Sequence, residues 1–358
     1  MMNKIKLNAE NLLEIKDALS RLYKHKNSTF SKLFLLEGET ELEKNIALPL
    51  LKANLIKPGS GSNFISNVRI WKSKKKFIIT DLFTCARKDR VYPIFADESD
   101  FLVNNLIVDK NDEVLDVCTG SGIQAICCAE KSGKVIAVDV NKRALSFAGF
   151  NTKLNNLEGQ IELIHSDLFA KIPKKKFDLI VSNPPFIPVP NEKNWFLHGS
   201  AGYDGLKIVK RILKESKKYL KPKGKLQIIT HSFGAAKKIQ VLNLVKKHFP
   251  KSRIQLVHLM NPKKIKAKKY LTRFSGSANF GSWKKFLKKN NLNYMYRVLI
   301  NIFPAKKFSL EEVQNKKFRF TMNESFNQKP FKVRPYYSGG WKEMIQRYGD
   351  VSLFLGGE

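Results

Sequence analysis

Acidic residues are scarce in this chain. Against 65 Lys and Arg stand 31 Asp and Glu, leaving a formal charge of +34 over 358 residues. Such an excess predicts attraction to a polyanionic partner, with an affinity that weakens as salt rises. Cysteine is scarce too. Cys85, Cys118, Cys127 and Cys128 make no Cys-x-x-Cys pair, so neither a zinc site nor a disulfide framework is expected. Cys127 and Cys128 lie in an apolar helical run and read as small buried hydrophobes of a reducing compartment. No apolar run approaches the roughly 20 residues that span a bilayer. Met1 to Lys6 lacks the apolar stretch of a signal peptide. The expectation is a soluble, cytoplasmic protein with no membrane partner and no metal, and no internal repeat is visible.

What is present divides the chain into three parts. Residues 1–100 read as a helical and hairpin module for substrate recognition. Leu12, Leu13, Ile15, Leu19 and Leu22 recur at helical spacing. A second pattern runs from Glu39 to Leu55, with a kink or break expected at Pro49. It ends at Pro58-Gly59-Ser60-Gly61. Val68 to Trp71 and Phe77 to Thr80 then flank the basic turn Lys72 to Lys76, as in a hairpin of winged-helix type.

Residues 101–304 alternate strand and helix. Strands are expected at Glu113–Val117, Val135–Asp139, Ile161–His165, Leu179–Val181, Leu226–Thr230 and Ile254–Leu259, with a last one from Tyr294 to Phe303. That alternation predicts an α/β fold of Rossmann-like, doubly wound kind, with a mainly parallel sheet covered on both faces. Before the last strand comes a basic insertion, 261–293. It holds ten Lys or Arg and no Asp or Glu, together with Tyr270, Phe274, Phe280, Trp283 and Phe286. Aromatics among cations suit nucleic acid, by stacking and phosphate contact; the alternative is a solvated basic loop whose aromatics pack it down. Residues 305–358 form a basic and aromatic extension, including Pro335 to Trp341, with no chemistry assigned.

The strand ending at Val117 runs into Cys118-Thr119-Gly120-Ser121-Gly122-Ile123-Gln124-Ala125. A strand, a glycine-rich turn and a helix make a nucleotide crevice at the carboxyl end of the first strand. Asp116, Thr119, Gly120 and Gly122 are its candidate cofactor residues, the glycines letting backbone approach a ligand. Asp139 ends the second strand, where a carboxylate accepts both ribose hydroxyls. By itself this fits a nicotinamide cofactor as well as S-adenosylmethionine. Two later features favour the methyl donor. Asp167 follows the third strand, where it can take an adenine amino group or, alternatively, cap a helix. Asn183-Pro184-Pro185-Phe186 follows the fourth.

That tetrapeptide is the candidate reaction centre. The Asn183 amide oxygen accepts hydrogen bonds. Pro184 has a carbonyl but no N–H. Two adjacent acceptors suit one –NH2 group, and Phe186 offers a flat face to a planar amide or base. Catalysis would be positioning plus electrostatic stabilisation, with no dedicated base.

These residues resemble the amino-group methyltransferases that share an [Asn/Asp]-Pro-Pro-[Phe/Tyr/Trp] signature, and among them the HemK-like protein-glutamine methyltransferases. The resemblance spans about residues 90–235. It is carried by Val91-Tyr92-Pro93 with Glu98-Ser99-Asp100-Phe101-Leu102, by Asp116 to Gly122, by Asn183 to Pro188, and by Gly202-Tyr203-Asp204-Gly205-Leu206. It implies that Asn183 and the Pro184 carbonyl hold the target nitrogen, while Gly120, Gly122, Asp139 and Asp167 hold S-adenosylmethionine. Phe186 departs from the Tyr usual in the glutamine enzymes, and Phe is frequent in relatives that methylate guanine in ribosomal RNA. The expected substrate is a glutamine of a ribosome-associated translation protein, such as a release factor or ribosomal protein. The alternatives are an amino group of RNA or DNA, or a non-catalytic RNA-binding role on the same fold.

Overall fold

The computed structural model of the chain describes residues 9–314 except 26, 74, 95–97, 191, 193–194, 260–263 and 272–279. Phe274, Lys263 and the extension beyond 314 therefore lie outside the described residues.

The N-terminal module begins with α1 (Ala9–His25), α2 (Asn27–Phe30) and a π-helical turn, Ser31–Leu35. β1 (Thr40–Glu41), α3 (Lys44–Lys52), β2 (Ile56–Pro58) and β3 (Asn63–Ser66) follow, and the three strands form an antiparallel sheet of order β1-β3-β2. Ile15, Leu19 and Leu22 of α1 are buried, but Leu13 points away from their face and is 68% exposed. The second helix is shorter than its sequence pattern, because Thr40 and Glu41 pair with β3 instead. It also continues through Pro49 to Lys52 without the expected break.

The hairpin expected at 68–80 forms as β4 (Arg69–Ser73) and β5 (Lys76–Thr80). It is not a free recognition wing. It docks on α6 (Lys142–Leu154), where two asparagines treat β5 as a neighbouring strand. Asn151 accepts from the Ile79 N–H at 2.8 Å and donates to its carbonyl at 2.9 Å. Asn155 makes the same pair of bonds to Phe77, at 3.3 and 2.9 Å. Both side chains are buried, so each bond replaces one that water can no longer make. Phe147, Phe150 and Leu154 of α6 complete one hydrophobic core with Ile15, Leu19, Phe34 and Ile70.

The remaining elements build the large sheet. After α4 (Glu98–Asn104) come β6 (Glu113–Val117), α5 (Ile123–Ala129), β7 (Lys134–Asp139), α6, β8 (Ile161–His165) and β9 (Phe177–Ser182). Then follow α7 (Lys207–Glu215), β10 (Leu220–Ala235), β11 (Lys238–Ile239), α8 (Gln240–His248) and β12 (Ser252–His258). The insertion supplies β13 (Lys264–Lys266), α9 (Ala267–Leu271) and α10 (Phe280–Lys289), ahead of β14 (Tyr294–Pro304) and β15 (Ser309–Gln314). The strand order is β15-β12-β14-β10-β9-β6-β7-β8. All neighbours are parallel except β14, which runs antiparallel to both β10 and β12.

The sheet is buried on both faces, as a doubly wound sheet requires. Leu115 and Val117 face α7 and α8, whereas Val114 faces α4 and α5, following the period of two along a strand. Cys127 and Cys128 are buried in α5. Strand order reverses between β6 and β9, so a crevice opens at their carboxyl ends. No helix among the described residues is long and apolar enough to cross a membrane.

Candidate active site

Four strands deliver their candidate residues to one edge. β6 and β9 pair in parallel up to Val117 and Ser182, and the Ser182 hydroxyl donates to the Val117 carbonyl at 2.7 Å. Asn183 therefore leaves β9 beside the glycine turn that leaves β6. Asp139 and His165 end β7 and β8 in register with each other.

The glycine turn is built around Asp116. Its carboxylate is fully buried. Oδ2 accepts from the Thr119 hydroxyl at 2.5 Å and from the Ala125 N–H at 3.1 Å. Oδ1 has no hydrogen-bond partner among the described residues. Burial pushes this carboxyl up to about 7, against the pull of Thr119 and Ala125. Thr119 is itself buried, and its N–H donates to the Val138 carbonyl at 3.0 Å. Gly120 and Gly122 have φ of +57° and +86°, the left-handed region where a side chain is strained. A Cβ on Gly122 would press on Ala148 of α6 at 3.1 Å, whereas one on Gly120 would meet open space.

Asp139 receives that turn. Its Oδ2 accepts from the Gly120 N–H at 2.9 Å, and its Oδ1 accepts from the Asn141 N–H at 2.8 Å. Burial raises its pKa, and these amides hold it back. Asp167 stands apart from the other three. Its side chain is 57% exposed and makes a bidentate pair with Arg211 of α7, at 2.9 and 3.1 Å. No helix begins after Asp167, so the helix-cap alternative does not hold; the chain turns instead through Leu168 at φ +51°.

The residues fit a nucleoside-bearing methyl donor. A Cβ on Gly120 would meet open space, Asp116 Oδ1 is buried without a partner among the described residues, and Asp139 ends the strand that adjoins β6. An acceptor such as Asp116 Oδ1 left dry is costly unless a ligand or water completes it.

Asn183, Pro184, Pro185 and Phe186 form the other wall. Pro184 is buried and the other three half-buried. Asn183 Nδ2 donates to the Ser99 hydroxyl at 3.0 Å. Phe186 lies against the His231 ring, with centroids 4.2 Å apart. The loop then doubles back: the Ile187 N–H donates to Gly199, the Val189 N–H to Gly202 and the Ala201 N–H to Ile187. Gly205 explains the Gly-x-Asp-Gly-Leu run. Its φ is +74°, and a Cβ there would sit 2.6 Å from the Phe186 carbonyl. Asp204 fixes the turn by accepting from the Leu206 N–H at 3.0 Å.

The insertion completes this wall from outside. Tyr270 and Trp283 are buried and pack with Phe233, Val189 and Met295, while Phe280 and Phe286 are partly buried against them. The Trp283 indole donates to the Tyr203 carbonyl at 2.7 Å. Within the insertion, Tyr270 and Trp283 are therefore core, and for these two the packing alternative holds over the stacking role. Lys266, Lys268, Lys269, Lys284, Lys285, Lys288 and Lys289 are exposed on its outer side.

Sequence reasoning did not assign roles to Glu98, Ser99, His231 or Arg297. Glu98 and Ser99 belong to a recognisable motif, but His231 and Arg297 lie on strands with no distinguishing local pattern. Only the pairing of β10 with β14 places those two opposite each other.

Residues 95–255 match the family model described as methyltransferase small domain. The chain is 37% identical over 149 residues to a putative protein N5-glutamine methyltransferase of Methanocaldococcus jannaschii, covering 40% of this chain and 73% of that protein. It is 39% identical over 129 residues to the ribosomal protein uL3 glutamine methyltransferase of Francisella tularensis, covering 33% of this chain and 41% of that protein. Among solved structures, a tRNA m1G37 methyltransferase of M. jannaschii aligns with a TM-score of 0.40 and 17% identity, over 67% of this chain and 58% of that one.

Proposed function

The chain belongs to the small-domain, S-adenosylmethionine-dependent methyltransferases, and from that membership we propose that it methylates the side-chain amide nitrogen of a glutamine in a translation protein. The observation that carries this reading is the Asn183 wall. With one Nδ2 hydrogen donated to Ser99, the acceptor Oδ1 is left for a substrate. A neighbouring Pro184 carbonyl adds a second acceptor, and the pair matches the two protons of one –NH2 group. The names of the two relatives supply the glutamine.

S-adenosylmethionine supplies a methyl group on a sulfonium whose sulfur leaves as a neutral thioether. Asp139 and the open backbone at Gly120 would hold its nucleoside, with Asp116 at the base of the turn and Asp167 at the rim. Asn183 and Pro184 would orient the amide so that its nitrogen lone pair faces the methyl carbon, and Phe186 would support the amide plane. The amide nitrogen so held would take the methyl group in exchange for the S–C bond and then shed a proton to solvent. Orientation of this kind can supply much of the barrier reduction without a dedicated base.

The partner reading follows from charge. The exposed lysines of α9 and α10 lie on the outside of the segment that packs against the acceptor loop. They suit the phosphate groups of an RNA-rich body, such as a ribosome, on which the protein substrate is presented. A second reading, methylation of an exocyclic amino group of RNA, draws on the same charge and on Phe186. Tryptic peptides from extract labelled with the purified protein separate the two: methylated glutamine supports the first reading, and label confined to RNA supports the second.

A further inference from the structure

Helix α4 presents two consecutive polar residues to the acceptor wall, and each is buried: Glu98 is 4% exposed and Ser99 3%. A buried polar group must be satisfied to be tolerated, and both are satisfied by residues that converge on Asn183 and Phe186. Ser99 takes the Asn183 Nδ2 hydrogen. Glu98 Oε1 accepts from His231 Nε2 at 2.8 Å and from Arg297 Nε at 2.7 Å. His231, so held, is the ring against which Phe186 lies. The same ring also meets Tyr270 of the insertion, centroids 6.3 Å apart and nearly perpendicular.

The carboxylate is ionised in this setting. Burial alone would raise its pKa, but Arg297 and His231 together hold Glu98 far below the usual range. Arg297 stands on β14 and His231 on β10, directly opposite in the antiparallel ladder. Glu98 thus fastens the first turn of α4 to the two strands that run behind the acceptor loop. Phe101, Leu102 and Val103 hold the rest of the helix in the core. Ser99 is consequently a fixed point and not a mobile surface hydroxyl.

We propose that Glu98 and Ser99 are positioning residues for the transfer: Ser99 sets the orientation of the Asn183 amide, and Glu98, through His231, sets the plane of Phe186. The contact with the fixed Ser99 hydroxyl holds the plane of the Asn183 amide, with Nδ2 turned to α4 and Oδ1 toward the target –NH2, before substrate arrives. This inference rests on the reading of Asn183 as the acceptor of the target –NH2 group.

The test compares Ser99→Ala with Ser99→Thr in the full-length protein. The hydroxyl is worth about one buried hydrogen bond, so Ser99→Ala should lower the rate of methyl transfer at saturating donor by about tenfold. Donor dissociation constant and melting temperature should stay near wild type, and Ser99→Thr should restore the rate. Equal rates for Ser99→Ala and wild type overturn the proposal, as does a loss that Ser99→Thr shares. A second measurement is independent of the substrate. The Asn183 side-chain amide signal in a 15N–1H correlation spectrum, identified by its loss in Asn183→Ala, should move in Ser99→Ala and return in Ser99→Thr. An unmoved signal overturns the positioning role whatever the enzyme methylates. A moved signal with no transfer by wild type supports the contact and counts against the glutamine reading alone.

Discussion

Asp116 should make the ligand-free protein lose stability as pH rises from about 4 to about 7. Its carboxyl is 0% exposed, with one oxygen satisfied by Thr119 and Ala125 and the other bare. In the unfolded chain it ionises near its ordinary 3.8; in the folded protein burial moves that to about 7. Between those values the unfolded state is charged and the folded state neutral, so folding takes up a proton. The contribution is therefore fully present below pH 4, declines as pH rises, and is gone above about 7. At about 1.4 kcal/mol for each pH unit, the loss across that window is on the order of 4 kcal/mol. Asparagine is close to the protonated form in shape and charge: its Oδ1 can take the place of Oδ2 toward Ala125. Chemical unfolding of wild type and Asp116→Asn at pH 5, 6.5 and 8.5 checks this. The variant should exceed wild type by a margin that grows from pH 5 to pH 6.5 and levels off above about pH 7. S-adenosylmethionine is cationic and should favour ionised Asp116, so donor affinity should rise with pH in wild type and not in the variant. Parallel stability profiles for the two proteins would refute a titrating Asp116.

Other perturbations separate the roles of the site. Asn183→Ala should abolish turnover while donor binding persists, because Asn183 is assigned to the target; calorimetry with the donor checks the second half. Asp139→Ala removes the charged acceptor for ribose and the anchor of the Gly120 N–H. Donor affinity should fall by roughly 10- to 100-fold, the worth of a hydrogen bond to a charged group. Replacing Lys284, Lys285, Lys288 and Lys289 with Gln should flatten the dependence of log K on log salt for RNA. The slope should change by up to about 3, at roughly 0.7 to 0.9 for each phosphate no longer neutralised. Arg297→Met leaves Glu98 buried without its strongest partner. It should cost about 3–5 kcal/mol of stability, read by urea unfolding.

The parts that were legible in the sequence are those whose physics is local. Strands β6 to β9 alternate or run apolar between breakers, and their ends at Val117, Asp139, His165 and Ser182 fell within a residue of the expected positions. The glycine turn and Asn-Pro-Pro-Phe were visible because they need particular residues at particular spacings. What was not legible depends on contacts distant in sequence. The basic hairpin read as a wing because its turn is Lys-rich, yet Asn151 and Asn155, more than 70 residues away, make it part of the core. The insertion aromatics read equally as stacking platforms or as packing, and only the fold around Tyr270 and Trp283 decides for packing at those two. Glu98, His231 and Arg297 are 199 residues apart at their extremes and meet through a strand pairing.

The most direct test of the central claim uses purified protein, radiolabelled S-adenosylmethionine and whole-cell extract, with the products divided between RNase and protease treatment. The proposed function predicts label that survives RNase, is lost to protease, maps to a glutamine side chain and is absent with Asn183→Ala. Label that protease leaves intact and RNase removes would contradict it and make RNA the acceptor.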